Sequence, residues 1–130
     1  MEHRLSVGEQ KTLLLYARDV YSKEKLLIAP NEIYLFFCDE DQFWADWFIR
    51  TTPKGYFNLL ASIKGLRVRK VNCFCLCGAY NESDAGAFAI GMHHELTMQQ
   101  AGTLSFFAND TAGYYHNNKG SVTVHIERIR

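Results

Sequence analysis

The sequence predicts an all-β fold, an antiparallel β-sandwich of the jelly-roll type, and three observations support this prediction. The apolar residues of the 130-residue chain fall into short segments rich in β-branched and aromatic side chains, with turn residues between them. The last segment, residues 121–129, alternates apolar and polar side chains, as a strand with one solvated face does. No linker, repeat or low-complexity stretch interrupts the chain, so we expect one domain over residues 1–130.

About eight to ten strands are expected from these segments. In chain order the segments are Thr12–Tyr21, Lys25–Ile28, Glu32–Cys38, Trp44–Ile49, Tyr56–Ile63, Val71–Ala79, Phe88–Gly91, Glu95–Met98, Thr103–Ala108 and Ser121–Ile129. A helix over residues 7–20 is an alternative for the first of them, but Leu13–Tyr16 is continuously apolar rather than amphipathic, which favours a strand. In the last strand we expect Val122, Val124 and Ile126 to face the core.

Composition excludes several classes of partner. Fourteen Lys and Arg residues balance fourteen Asp and Glu residues, so the net charge gives no reason to expect a nucleic acid or an anionic membrane as partner. No apolar run approaches the ~20 residues that span a bilayer. The N-terminal residues do not resemble a signal peptide, so we expect a cytoplasmic location, with export by another route left open.

The four cysteines are interpreted as small buried hydrophobic residues. Cys73, Cys75 and Cys77 alternate along a predicted strand, which places the three thiols on one face. Same-face neighbours on a strand lie almost ~7 Å apart, which is too far for a disulfide, and this spacing does not match that of zinc ligands. Cys38 follows an apolar run and is interpreted in the same way.

The polar segment from residue 109 to residue 121 is the first candidate for a binding site. It lies between two predicted strands and offers one carboxylate, two carboxamides and loop carbonyl groups, all hard oxygen donors of the kind that calcium prefers. An alternative explanation is that a long hairpin needs its Asn and Gly residues for left-handed backbone positions and Asx-turns.

The same segment resembles the calcium loop of the PA-IL-like galactose-binding lectins. Seven or more fixed positions of the family pattern N-D-x-P-G-x-Y-x-N-N-x-G-S are present in residues 109–121, and Trp44–Trp47 resembles an upstream W-x-x-Y element. The resemblance implies a jelly-roll sandwich with a galactose-binding-domain-like core. It also implies a calcium ion at the end of the sandwich that coordinates two sugar hydroxyl groups.

The resemblance further implies a set of site residues. The calcium ligands would be the side chains of Asp110, Asn117 and Asn118 and the main-chain carbonyl groups of Tyr114 and Trp47. A galactose-like monosaccharide or glycan would lie against Asp110, Asn117, Thr51, Thr52 and Pro53.

Two departures from the family pattern affect these expectations. Ala112 replaces the proline of the loop, which removes a backbone constraint. Thr51, Thr52 and Lys54 stand where the family has a histidine and a glutamine that contact the sugar. With one certain carboxylate we expect weak calcium binding, in the range of roughly 10⁻⁴–10⁻³ M, and Asp46 is a candidate for a second negative charge.

Other clusters favour simpler interpretations. The acidic run 39–41 is typical of a solvated turn, adjacent His93 and His94 point to opposite faces of a strand, and the basic residues of segment 64–70 are typical of a solvated edge. No nucleophile elbow, phosphate-binding loop or zinc-hydrolase motif is present. Two hypotheses remain: a non-enzymatic, lectin-like carbohydrate-binding domain, or a structural or protein-interaction module with a vestigial metal loop. A homo-oligomer is open under both.

Overall fold

The computed structural model describes residues 2–130 as two packed β-sheets. In chain order the strands are β1 (Glu2–His3), β2 (Gln10–Tyr16), β3 (Lys25–Ile28), β4 (Ile33–Phe37), β5 (Trp44–Asp46), β6 (Ile49–Thr51), β7 (Leu76–Tyr80), β8 (Phe88–Ala89), β9 (His93–Thr97), β10 (Gly102–Ala108) and β11 (Asn118–Arg128). One α-helix, α1, spans Leu59–Lys64, and a 3-10 helix spans Tyr115–Asn117.

The sheet order confirms the predicted sandwich. The first sheet has the order β1-β3-β10-β7-β8, and the second has the order β6-β5-β11-β4-β9, with β2 also paired to β11. Every pairing of these strands is antiparallel except that of β1 with β3, which is parallel. Strand β11 organises the second sheet, because it pairs in turn with β5, β2 and β4.

The core lies between the two sheets and follows the predicted alternation. Val122, Val124 and Ile126 of β11 are almost completely buried and pack with Leu104 and Phe106 of the first sheet in one apolar cluster. Burial of each such side chain stabilises the fold by about 1.5–3 kcal/mol. No helix within residues 2–130 is long and apolar enough to cross a membrane.

The predicted strand over residues 56–63 is wrong, because this segment contains α1 instead. Asn58 caps the helix, since its side-chain Oδ1 accepts a hydrogen bond from the Ala61 amide at 3.1 Å. Gly65, with φ of 103°, ends it. Within α1 only Ala61 is buried. The apolar side chains that suggested a strand are therefore at the surface and do not contribute to the core.

The prediction that three thiols share one strand face is also wrong. Phe74 has a left-handed φ of 64°, and β7 begins only at Leu76, so the alternation is broken within the cysteine segment. Cys73 packs in the main core, whereas Cys75 and Cys77 belong to a second apolar cluster. All four cysteines are buried, and none forms a disulfide within residues 2–130. Burial raises the pKa of the Cys73 thiol to about 12.

A buried carboxylate ties the N-terminal segment to the end of β11. Glu32 forms ion pairs with Arg4 and with Arg128, and it accepts hydrogen bonds from the Ala29 amide at 2.9 Å and the Tyr34 hydroxyl at 3.1 Å. The hydrogen bond from Arg4 is the main reason why the pKa of Glu32 is lowered to about 2. This carboxylate is therefore ionised and fully bonded in the folded protein.

Replacement of this carboxylate should weaken the fold. We expect Glu32→Gln to lower the free energy of unfolding by about 2 kcal/mol at neutral pH, because the charged hydrogen bonds are lost. The pKa is lower in the folded than in the unfolded chain, so the stabilisation is complete above a pH of about 4.5 and disappears as the pH falls toward about 2. Urea unfolding across this range checks the prediction, which fails if the variant and the wild type keep a constant difference.

Candidate functional site

The segment 109–117 crosses from the end of β10 in the first sheet to the start of β11 in the second, at one end of the sandwich. Asn109 anchors it. Its side-chain Oδ1 accepts from the Val68 amide at 2.9 Å, and its Nδ2 donates to the carbonyl groups of Val68, Val71 and Asn72 at 3.0–3.2 Å. The first Asn of the motif is therefore a structural residue that fastens this segment to residues 68–72.

Tyr115 provides a second anchor for the same segment. Its buried hydroxyl donates to the Ala108 carbonyl at 2.6 Å and accepts from the Arg67 guanidinium at 2.7 Å. The Arg67 amide also donates to the main-chain carbonyl of Asp110 at 3.0 Å. A turn with Gly113 at φ of 86° separates the two anchors. The backbone around Asp110 is thus fixed from both sides.

Three buried side-chain oxygens at this end of the sandwich have no hydrogen-bond partner. Among residues 2–130 the buried, unpaired side-chain oxygens are Asp110 Oδ2, Asn117 Oδ1, Asn118 Oδ1 and Ser105 Oγ. Three of these four belong to the residues that the sequence predicted as calcium ligands. An unpaired buried polar atom costs about 1–3 kcal/mol, so this concentration of acceptors calls for a cation or other donor.

In Asp110 and Asn118 the other polar atom of the side chain is already bonded, which restricts the direction of the free oxygen. Asp110 Oδ1 accepts from the Thr111 amide at 2.7 Å, and Asn118 Nδ2 donates to the Ala17 carbonyl at 3.0 Å. Asp110 and Asn117 line one open cavity of about 330 Å³. Asn118 lies close enough to Asp110 for its amide to lower the pKa of that carboxyl group. The three side chains are therefore neighbours.

The β5–β6 hairpin forms the opposite wall of the cavity. Asn118 pairs with Asp46 at the end of β5, and the Trp47 amide donates to the Asn117 carbonyl at 3.3 Å. Trp47 lies in the two-residue turn with φ of 58°, a backbone conformation that is strained for a bulky side chain. This turn brings Trp47 to the cavity, which Tyr114 also lines. Four of the five predicted metal-binding residues thus share one cavity wall.

Asp46 adds a second carboxylate to this cavity. Its Oδ2 accepts from the Tyr56 hydroxyl at 2.5 Å, and the Cys73 thiol lies at 3.7 Å from the same oxygen. The pKa of Asp110 is raised to about 6, mainly by burial and to a smaller extent by the negative charge of Asp46, while the hydrogen bond from the Thr111 amide opposes both effects. Two carboxylates thus line the cavity against the single ammonium group of Lys64, so the wall is net negative when both carboxylates are ionised.

The chemistry of the donors favours a hard cation. Within residues 2–130 no group of three or more His, Cys, Asp or Glu side chains is arranged to hold a metal ion. An ion in this cavity would depend on amide and carbonyl oxygens beside a carboxylate. Calcium takes six to eight such oxygens and tolerates irregular geometry, whereas zinc prefers nitrogen and sulfur ligands. The residues present therefore fit calcium.

Three predicted sugar contacts are not brought into the cavity wall. Thr51 is buried at the far end of the hairpin, where it pairs with Trp44, and its hydroxyl donates to the Thr52 carbonyl at 3.1 Å. Pro53 is buried, and its carbonyl accepts from the Leu76 amide at 2.8 Å. These residues serve the hairpin and its connection to β7.

The rim of the cavity also contains residues outside the predicted site. Leu60 and Lys64 of α1 line it, and the Lys64 ammonium lies 4.7 Å from the centre of the Tyr114 ring. Trp47 and Tyr114 are exposed, whereas Trp44 and Tyr115 are buried in the interior. The contribution of α1 was missed because its segment was predicted as a strand.

Comparisons with known proteins bear on the fold. No protein-family model matches the chain, and no curated protein is significantly similar to it in sequence. Solved structures with a similar fold include the EclA N-terminal domain, a PllA-like lectin, with a TM-score of 0.66 and 17% identity. The match covers 90% of this chain and 94% of that chain. At this identity the likeness shows the fold alone, and the fold is lectin-like.

The energetic cost of the buried Asp110 carboxylate can be measured in calcium-free protein. We expect Asp110→Asn to raise the free energy of unfolding by about 1–3 kcal/mol at neutral pH, because a buried charge without a cation is removed. The pKa of Asp110 is raised to about 6, so the wild type loses its penalty as the pH falls through that value, and the difference should shrink. Thermal unfolding with a chelator measures this, with exposed Asp41→Asn as control. A variant less stable than wild type at neutral pH would contradict the prediction.

Proposed function

We propose that this protein is a non-enzymatic carbohydrate-binding domain that uses a calcium ion in the 109–118 loop to bind sugar hydroxyl groups. The observation that carries this proposal is the set of three unpaired, buried oxygens of Asp110, Asn117 and Asn118. These are the side chains that the lectin-like sequence motif designates. Asp110 and Asn117 line one cavity, and the Asn118 amide lies beside Asp110. The lectin-like fold supports the same class of function.

The ligand set would combine side chains and main-chain carbonyl groups. Asp110 Oδ2, Asn117 Oδ1 and Asn118 Oδ1 would hold the ion together with the carbonyl groups of Trp47 and Tyr114. Calcium binds six to eight oxygens, so five from the protein leave about one to three positions for other ligands. When bound, the ion would supply a hard Lewis acid that takes hydroxyl oxygens of a saccharide.

The cavity rim supplies the other contacts for a sugar. Trp47 and Tyr114 present exposed aromatic rings beside Asp110 and Asn117, and the apolar face of a pyranose packs well against such rings. Lys64 is available as a hydrogen-bond donor at the same rim. Galactose is the first saccharide to test, because it is the sugar bound by the family that the loop resembles.

The competing hypothesis is a protein-interaction or structural sandwich with a vestigial metal loop. The unpaired oxygens favour the lectin hypothesis over this one, since a loop retained only for folding has no need to leave three acceptors unpaired. Calcium affinity in the range of roughly 10⁻⁴–10⁻³ M is expected for one ligating carboxylate with a second one nearby.

Titration calorimetry with calcium tests the ion site. We expect binding at neutral pH, with an affinity that falls about tenfold between a pH of about 7 and a pH of about 5, because protons compete for a carboxyl group with a pKa of about 6. Asp110→Asn should abolish binding, and Asp41→Asn should not change it. Absence of any calcium-dependent heat at millimolar ion would refute the calcium site.

Binding to galactose-agarose and to a panel of immobilised glycans tests the sugar site. We expect retention in millimolar calcium, release by a chelator, and recovery of chemically unchanged sugar. Tyr114→Ala should weaken sugar binding by about three- to tenfold, because an aromatic contact is lost. Its calcium affinity should be retained, since the Tyr114 main chain remains.

Leu14→Ala is the matched control for Tyr114→Ala. Leu14 of β2 is 44% exposed, close to the 45% of Tyr114, and it is not part of the cavity wall. This control should bind both calcium and sugar as the wild type does. Calcium binding without any sugar retention would favour the protein-interaction hypothesis, and an equal loss in both variants would remove Tyr114 from the site.

A further inference from the structure

The segment 47–70 segregates charge in a chain that is neutral as a whole. It contains six basic residues and no Asp or Glu, although the full chain has fourteen of each sign. The six are Arg50, Lys54, Lys64, Arg67, Arg69 and Lys70. Within residues 2–130 only one of the six, Arg67, forms an ion pair, and its partner is Asp84. The other five leave their charge without a carboxylate partner.

The same segment exposes large apolar side chains. Phe57, Leu60 and Ile63 are 72%, 70% and 72% exposed, and the adjacent Trp47 and Phe48 rings lie 4.3 Å apart at the surface. We call the exposed side chains of Trp47, Phe48, Phe57, Leu59, Leu60 and Ile63 the apolar face. Contiguous exposed apolar groups of this size mark an interaction surface on a folded protein.

Shared cavity walls join the apolar face to the basic side chains. The cavity at Asp110 shares Lys64 with a second cavity of about 350 Å³, whose wall includes Ile63 and Lys70. A third cavity joins Lys70 to Phe57. Four residues of the apolar face therefore adjoin basic side chains around α1: Trp47, Phe57, Leu60 and Ile63 share cavity walls with Lys64, Arg69 or Lys70.

We propose that this surface binds to a lipid bilayer that carries anionic headgroups. Elements that lie in a membrane interface combine Trp, Phe and Leu side chains with Lys and Arg, as this segment does. Anionic headgroups attract the unpaired cations, and the apolar face enters the boundary between headgroups and acyl chains. This surface shares Trp47, Leu60 and Lys64 with the cavity of the proposed sugar site. None of the three unpaired oxygens belongs to the apolar face, so binding to a bilayer would not require calcium.

Charge selects the bilayer over other occupants. A second copy of the chain docked by the same face would bring two sets of unpaired cations together, and like charges oppose such a symmetric contact. A nucleic acid would use the cations and the aromatic rings but leaves Leu59, Leu60 and Ile63 without a role. The net charge of the whole chain, which gave no reason to expect a membrane partner, does not reveal the basic character of this segment.

Co-sedimentation with phosphatidylcholine vesicles, with and without phosphatidylserine, tests the proposal in the presence of a chelator. The chelator prevents calcium from bridging the protein and the headgroups. Failure of vesicle binding can therefore be distinguished from failure of the calcium-dependent sugar site. We expect binding to the vesicles that contain phosphatidylserine, and a fall in the bound fraction as salt screens the charges. Absence of binding to these vesicles at low salt would overturn the proposal.

Paired variants test both components of the surface. Leu60→Ser with Ile63→Ser should lower the partition coefficient by at least about tenfold, because apolar groups are lost from the interface. The control Val7→Ser with Leu14→Ser alters exposed residues outside the apolar face and should bind as wild type. The double variant Lys64→Gln with Lys70→Gln should lower binding to the vesicles by about fivefold for each charge removed. The control Arg18→Gln with Arg130→Gln removes two charges outside this surface and should bind as the wild type does.

Tryptophan fluorescence reports the depth of contact. Trp44 is 2% exposed and Trp47 is 57% exposed, so a blue shift on addition of vesicles reports on Trp47, and Trp47→Phe should remove it. Unchanged far-ultraviolet circular dichroism verifies that each variant is folded. Binding that is equal in the apolar variants and the wild type would overturn the proposal. So would a concentration-dependent dimer that only the Leu60 and Ile63 substitutions dissolve, because a second copy would then be the occupant.

Discussion

The Asn109 side chain is the contact on which the candidate site depends, because it fixes where the loop leaves the first sheet. It bonds to three carbonyl groups and one amide of residues 68–72, and its own main chain pairs with Phe74 and Cys75. Asp110 follows directly and cannot move without breaking this set of bonds. At the other end, Asn118 is fixed by its pairing with Asp46. The unpaired oxygens are thus held by the two sheets, and a metal ion would meet a largely preformed cavity.

The candidate site lowers the stability of the fold when no cation is bound. Burial raises the pKa of Asp110 to about 6, so the ionised carboxylate that is present at neutral pH destabilises the folded protein. The buried amide oxygens of Asn117 and Asn118, which have no donor, add to the cost. Trp47 contributes backbone strain on the opposite wall. A bound cation would satisfy the unpaired oxygens and neutralise the Asp110 charge, so these two features support the proposed calcium site separately from the sequence motif.

The sequence predicted the sandwich and the proposed ligands, because both depend on local patterns. The alternation of Val122, Val124 and Ile126 is a property of one strand, and it is confirmed. The motif set Asp110, Asn117 and Asn118 stays a prediction as a calcium site, although the structure places Asp110 and Asn117 in one cavity wall and Asn118 beside Asp110. The position of α1 could not be predicted in this way, because its short run of apolar residues resembles a strand although Asn58 is a helix-capping residue. The break at Phe74 has no local signal, since its left-handed φ accompanies a bond to the distant Asn109.

The missed helix changes how the end of the sandwich is understood. A strand over residues 56–63 would have buried alternate apolar side chains, and the segment would then have needed no partner. As a short surface helix it buries only Ala61 and turns Leu60 and Ile63 outward, beside unpaired cations and next to the cavity that holds Asp110. Residual apolar exposure of this size is unfavourable in water unless a partner covers it. The two unfavourable features of the fold, unpaired oxygens and uncovered apolar groups, therefore lie side by side at this end of the molecule, and each would be relieved by one of the two proposed ligands.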